Sequence, residues 1–294
     1  MRILLKIALG ITFIFSSLSF INTANALDIV FAEDRPDLRT LDPRITQSRH
    51  EEMLIVNMFD QLISADSEGN IYPGLATSWD VSSDGLEYTF SLRDDVSFHD
   101  GTKFNAAAVK ATFDSIVDPE TGSQGAVDIL GPYKETIVID DFTAKVVFER
   151  RYGSAITAFT ETELSIVSPT ALDKLGNEGF GMAPVGTGPF MFKNWEANKK
   201  VELVRNPDYN WAPEYMDGSG PSQVANLTYR LIKDTSTRVA ALEAGEVDIA
   251  ELVPPLDMRR FDSSGDLSTV TGTVSGLPYS AFLNTTTGVF QDVN

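Results

Sequence analysis

Hydrophobic positions along this chain fall into short runs and alternations punctuated by turn-forming pairs, the pattern of a mixed α and β protein. Leu27 to Phe31 is a short apolar run suited to a buried strand. Thr40-Leu41-Asp42-Pro43 follows, where Pro43 pushes Asp42 out of helical space, so a turn or extended loop is expected there. From His50 to Leu62, Met53, Leu54, Val56, Met58, Phe59 and Leu62 gather mostly on one helical face, with Glu51 and Glu52 placed to suit the helix dipole. Leu86, Tyr88, Phe90 and Leu92 alternate with polar residues after Asp84-Gly85, which predicts a hairpin with Ser78 to Val81. Asn105 caps a predicted helix carrying Val109, Phe113, Ile116 and Val117. Thr136 to Ile139 and Thr143 to Phe148 flank Asp140-Asp141-Phe142 as a second hairpin.

Beyond the Gly- and Pro-rich loop from Ala183 to Pro189, strands are predicted around Phe190 to Trp195, Val201 to Arg205 and Val224 to Ile232. Asp234 or Ser236 then caps a helix through Val239, Leu242 and Ala244, Gly245 stops it, and Val247 to Ala250 forms a strand, giving a strand-helix-strand unit. Leu277 to Leu283 is the last predicted strand, and Asn284 to Asn294 is polar and turn-like.

Composition narrows the function. The chain has 294 residues, 43% of them hydrophobic, with 42 acidic and 23 basic side chains and a formal charge of -19. Such a charge repels phosphate backbones and anionic membranes, so nucleic acid is not expected as a partner. The absence of cysteine removes disulfides, thiolate nucleophiles and iron-sulfur clusters, and two histidines leave little for a histidine-rich metal site. No metal and no cofactor are expected.

Residues 1–26 read as a cleaved export signal: Arg2 and Lys6 precede an apolar stretch from Ile7 to Ile21, and Ala24-Asn25-Ala26 supplies small residues at the cleavage site. The stretch falls short of the ~20 apolar residues that span a bilayer. The exported part, starting near Leu27, has 21 basic against 42 acidic residues.

Little of the remaining sequence suggests catalysis. Gly186-Thr187-Gly188-Pro189 lacks the Lys-Ser/Thr of a Walker loop and is followed by a strand, which argues against a phosphate cradle. His99-Asp100 has no nucleophile motif beside it and is read as a turn pair that serves the backbone. His50 is read most simply as a helix N-terminal residue, with a ligand contact left open. Asp66 to Asn70 lacks the downstream glutamate of a calcium loop, and Asp94-Asp95 and Asp140-Asp141 read as solvated turns.

The blocks Leu75-Ala76-Thr77-Ser78-Trp79 through Val96-Ser97-Phe98-His99-Asp100-Gly101-Thr102, Thr40-Leu41-Asp42-Pro43, Gly186-Thr187-Gly188-Pro189-Phe190 with Asn206-Pro207-Asp208-Tyr209, and Arg238 to Asp248 together resemble extracellular solute-binding protein family 5, the peptide and nickel binding components of ABC importers. The resemblance implies an α/β fold of the type II periplasmic binding protein kind. It divides the chain into residues 1–26 as signal, 27–62 as the first part of lobe I, 63–183 as a mixed α+β subdomain, 184–284 as lobe I continued, and 285–294 as the start of a crossing to a second lobe. That second lobe is absent from the sequence, which looks like an N-terminal fragment expected to bind ligand weakly or not at all by itself. The implied function is capture of a peptide or similar small solute in the periplasm for delivery to the ABC permease, without a reaction, by a monomer with no lipobox cysteine. Nickel chelates, opines or oligosaccharides are alternative ligands, and an exported carboxylate-dependent hydrolase is the rival class. By resemblance, ligand contacts come from Thr46, Gln47, Ser48 and Arg49 and from Tyr279 and Phe282. An exposed loop arginine and a core aromatic strand remain the alternatives for Arg49 and for the last two.

Overall fold

A computed structural model describes residues 27–34, 38–216, 218, 220–265 and 267–271. The export signal expected at residues 1–26, the strand expected at 277–283, Tyr279 and Phe282 lie outside the described residues. Two compact units divide the chain after Glu251.

In the first unit, β1 (Leu27–Glu33) leads through the Leu-Asp-Pro corner into α1 (Arg49–Ile55). Strands β2 (Ile63–Ala65) and β3 (Ile71–Pro73) form a small ribbon, and β4 (Ala76–Val81) begins a second sheet with β5 (Glu87–Leu92). Helices α2 (Ala106–Val117) and α3 (Gly125–Leu130) precede β6 (Tyr133–Asp140) and β7 (Thr143–Phe148), which complete an antiparallel sheet of order β4-β5-β7-β6. The hairpins expected at Asp84-Gly85 and Asp140-Asp141 are both present. The Asn105 side chain accepts from the Ala108 N–H, and α2 buries Ala108, Val109, Thr112, Phe113 and Ile116, a three-and-four spacing that sets one face on the core. There Phe90, Phe113 and Phe148 surround Phe159 with ring centroids 5.0–6.2 Å away. Each buried ring contributes roughly 1.5–3 kcal/mol through the area it removes from water.

After α4 (Ala155–Ala158) and α5 (Pro169–Met182), strands β8 (Phe190–Glu196), β9 (Lys200–Arg205), β10 (Val224–Leu231) and β11 (Ile249–Ala250) join β1 in a five-stranded sheet of order β11-β1-β10-β9-β8. Between β10 and β11 runs α6 (Thr235–Glu243), capped by the Asp234 side chain on the Thr237 N–H. This is the expected strand-helix-strand unit; its two strands flank β1 on either side, both parallel to it. Strand β11 is shorter than the sequence suggests because the Val30 N–H bonds the Asp248 side chain instead of a backbone carbonyl. Leu54, Phe59, Phe180, Leu203 and Tyr229 belong to the core that includes this sheet, α1 and α5.

Helix α1 ends at Ile55, seven residues before the Leu62 that periodicity predicts. Two interior backbone groups explain the stop. The carbonyls of Asn57 and Met58 accept from the N–H groups of Phe190 and Gly188, so they are turned toward the glycine loop. Gly186 and Gly188 press on the same stretch: a Cβ at Gly186 would stand 2.2 Å from the Met58 carbonyl oxygen, and one at Gly188 2.5 Å from the Met58 carbonyl carbon. The loop is therefore a packing wedge, which accounts for its glycines on steric grounds.

The second unit, described here through residue 271, contains α7 (Pro255–Ser264), stopped by Gly265 at φ 74°. The Arg260 guanidinium stands 4.8 Å from the Phe261 ring centre. No helix among the described residues is long and apolar enough to cross a membrane.

Candidate functional site: the carboxyl rim of the five-stranded sheet

In open sheets with parallel strands, ligands enter the crevice beyond the carboxyl ends of strands where connections part to either side. The carboxyl end of β1, flanked by parallel β10 and β11, is such a place. Three segments meet there: Glu33 and Asp34 at the end of β1, Glu251 just past β11, and His50 in the first turn of α1. The Asp34 N–H bonds Glu251 Oε1 at 3.0 Å. His50 Nδ1 lies 3.8 Å from Asp34 Oδ1 and 3.9 Å from Glu251 Oε1, beyond hydrogen-bond range. Glu33 is fully buried, with 0% exposure, and neither of its carboxylate oxygens has a hydrogen-bond partner. Burial foremost, then the charges of Glu251 and Asp34, push its carboxyl up to about 8.

Residues 46–49 lead into the first turn of α1, which carries His50. Thr46 is buried, and its hydroxyl donates to Glu51 Oε2 at 2.7 Å while Glu51 Oε1 accepts from the Arg39 and Thr40 N–H groups. It acts on the shape of the loop. Gln47 is exposed and donates to the Gln124 side chain; Ser48 occupies the N-cap of α1 with no side-chain cap bond; Arg49 is exposed at the first turn. Of the four, Arg49 and Ser48 stand nearest the His50 cluster in sequence, and neither side chain makes a hydrogen bond or ion pair among the described residues.

Glu33, Asp34 and Glu251 escaped the sequence reading. Asp34 and Glu251 are 217 positions apart, and only the β1-β11 pairing unites them. One local signal was available: two adjacent acids directly after an apolar strand.

His99 does serve the backbone, as expected. Its Nδ1 accepts from the Gly186 N–H at 3.4 Å, so Nε2 carries the hydrogen and donates to the Gly188 carbonyl at 2.9 Å. Burial lowers its pKa from 6.5 to about 4. A base whose folded pKa lies below its unfolded value adds stability above the unfolded value and loses it as pH falls toward the folded one. The stability difference between wild type and His99→Gln is thus expected to shrink between pH 6.5 and 4, by up to about 3 kcal/mol. Urea titrations at pH 7 and pH 4.5 measure it; a constant difference would show that the imidazole is not held neutral.

Asp60 fastens the neighbouring segments. Its carboxylate accepts from Thr187 Oγ1 at 2.8 Å, Trp211 Nε1 at 3.0 Å and Tyr209 OH at 3.1 Å, tying the glycine loop to the Asn-Pro-Asp-Tyr block behind α1. Burial pushes its pKa up while these three donors pull it down.

The family model for bacterial extracellular solute-binding proteins, family 5, matches residues 70–294. The chain belongs to this family. Among its relatives, the glutathione-binding protein GsiB of Shigella flexneri is 32% identical over 249 residues, which cover 84% of this chain and 46% of GsiB. GsiB of Escherichia coli K12 matches to the same extent. Among solved structures, the periplasmic binding protein DppA of Helicobacter pylori, in complex with the peptide STSA, superposes with a TM-score of 0.69 at 26% identity, over 80% of this chain and 48% of that one. AgaA of A. tumefaciens R10, in complex with agropinic acid, gives 0.70 at 29% identity, over 80% and 46%. This family 5 chain therefore has the type II periplasmic binding protein fold, and it spans about half the length of the curated relatives it matches.

Proposed function

We propose that the chain is the solute-capturing component of an ABC importer, exported to the periplasm, and that it takes a peptide or similar small solute at the carboxyl rim of β1 and delivers it unchanged to the membrane permease. Family membership over residues 70–294 is the observation that carries this reading. GsiB is named for glutathione and DppA holds a peptide, whereas AgaA holds agropinic acid; the higher identity to GsiB favours the peptide class. Arg49, exposed at the start of α1, offers a bidentate partner for a solute carboxylate. Tyr279 and Phe282 are proposed as apolar walls on the resemblance alone. The hydrolase reading is the weaker one, because the matched relatives are named for binding.

Calorimetric titration of the purified chain with di- and tripeptides, glutathione among them, tests the reading. One rim buries only part of a solute, so reversible binding with a Kd on the order of 0.1–1 mM is expected. The solute should be recovered intact. Conversion of any solute to product, or absence of binding at 10-fold higher concentration, would contradict it.

A further inference from the structure

The rim holds more donor atoms than its own contacts use. Both oxygens of Glu33, Oδ1 of Asp34 and Nδ1 of His50 are each withdrawn from solvent with no hydrogen-bond partner. One ligand atom from each of Glu33, His50 and Glu251 lies within 4.8 Å of the others. Buried polar atoms are ordinarily satisfied, and a buried carboxyl that keeps its charge ordinarily faces a cation. Among the described residues, the ion contacts of Asp34 and Glu251 are to His50 alone. Arg238, the buried arginine behind them, directs its Nε to the Glu251 carbonyl and its Nη1 to the Ile232 carbonyl.

We propose that Glu33, His50 and Glu251 bind a divalent first-row transition-metal ion, with Asp34 at its edge. The donor chemistry is one imidazole nitrogen and two or three carboxylates, the nitrogen and oxygen set that such ions accept. The enclosure favours a small ion over an organic ammonium, which must bring its carbon stem to atoms that solvent does not reach. Bonds of about 2.1 Å place neighbouring ligand atoms roughly 3–3.5 Å apart, so side-chain rotation has to draw the donors inward from their present spacing. Nothing in this depends on which solute the rim takes. A protein that failed to bind any peptide would still bind the metal, and one that failed to bind metal would leave the solute reading standing.

The test is calorimetric titration of the untagged, chelator-treated full chain with ZnCl2 and, separately, MnCl2, together with thermal unfolding. One ion per chain is expected, and the unfolding midpoint should rise by roughly 5–10 °C at a hundredfold excess over Kd. His50→Ala should weaken binding by a factor on the order of 100, as should Glu33→Gln, while far-ultraviolet circular dichroism stays unchanged for the His50 variant, whose side chain is at the rim. Histidine-dependent binding can be assigned to this site because the only other histidine, His99, has both ring nitrogens engaged by backbone. No saturable 1:1 binding, or binding undiminished in His50→Ala, would overturn the proposal. So would stabilisation by a diamine such as cadaverine through the same residues with no metal isotherm, since the missing charge would then be an organic cation.

Discussion

Arg44→Met is expected to lower the unfolding free energy by about 3–5 kcal/mol, the usual cost of leaving one member of a buried ion pair without the other. Arg44 and Asp42 are 1% and 0% exposed. The guanidinium bonds both oxygens of Asp42, at 3.1 and 2.6 Å, and also reaches Ser115 Oγ and Asn177 Oδ1, each at 3.1 Å. Its carbon lies 5.6 Å from the Phe180 ring centre, so the same side chain ties the Leu-Asp-Pro corner to α2 and α5. Burial raises the Asp42 pKa and the charge of Arg44 opposes that rise. Without Arg44, the carboxylate keeps only the N–H of residue 44 among these donors and must take up a proton or solvent. The double variant Asp42→Asn/Arg44→Met removes the stranded charge and should recover part of the loss. Urea unfolding at pH 7 measures both. A loss under about 1 kcal/mol for the single variant would mean that the pair is not buried as described.

Gly186→Ala comes next in size. A methyl group placed 2.2 Å from the Met58 carbonyl oxygen and 2.5 Å from the Phe59 ring has no rotamer to escape into, since its nearest neighbour is backbone. The loop and the end of α1 have to separate, which strains the Gly188 to Met58 bond and the His99 N–H bond to the Gly186 carbonyl, at 3.0 and 2.9 Å. The expected cost is about 3 kcal/mol or more, at the upper end for overpacked sites. Gly153→Ala is the control: no atom lies within 4 Å of its added Cβ, and its unfolding midpoint should barely move. Equal effects at the two positions would dismiss the wedge.

Which features could be read from the sequence follows from how local their causes are. The two hairpins were legible because turn chemistry and alternation act over a few residues, and α6 because Asp234 and Gly245 mark its ends. Helix α1 was overextended because its stop is set by a loop some 130 positions later that captures the Asn57 and Met58 carbonyls. The glycine loop was singled out in the sequence, yet its steric role depends on a neighbour that periodicity cannot supply. Thr46 was singled out for its place after the Leu-Asp-Pro turn, and the fold turns its hydroxyl onto Glu51. The acid cluster was illegible because strand order alone brings Glu33 and Glu251 together.

The central claim is that the carboxyl rim of β1 is the solute-facing surface. Amide chemical shifts recorded while a tripeptide is titrated into isotope-labelled protein test it most directly. Shifts confined to Glu33, Asp34, Gln47 to Glu52, Ala250 and Glu251 are the predicted result. Shifts centred on the four-stranded sheet, with the rim amides unmoved at saturation, would contradict it.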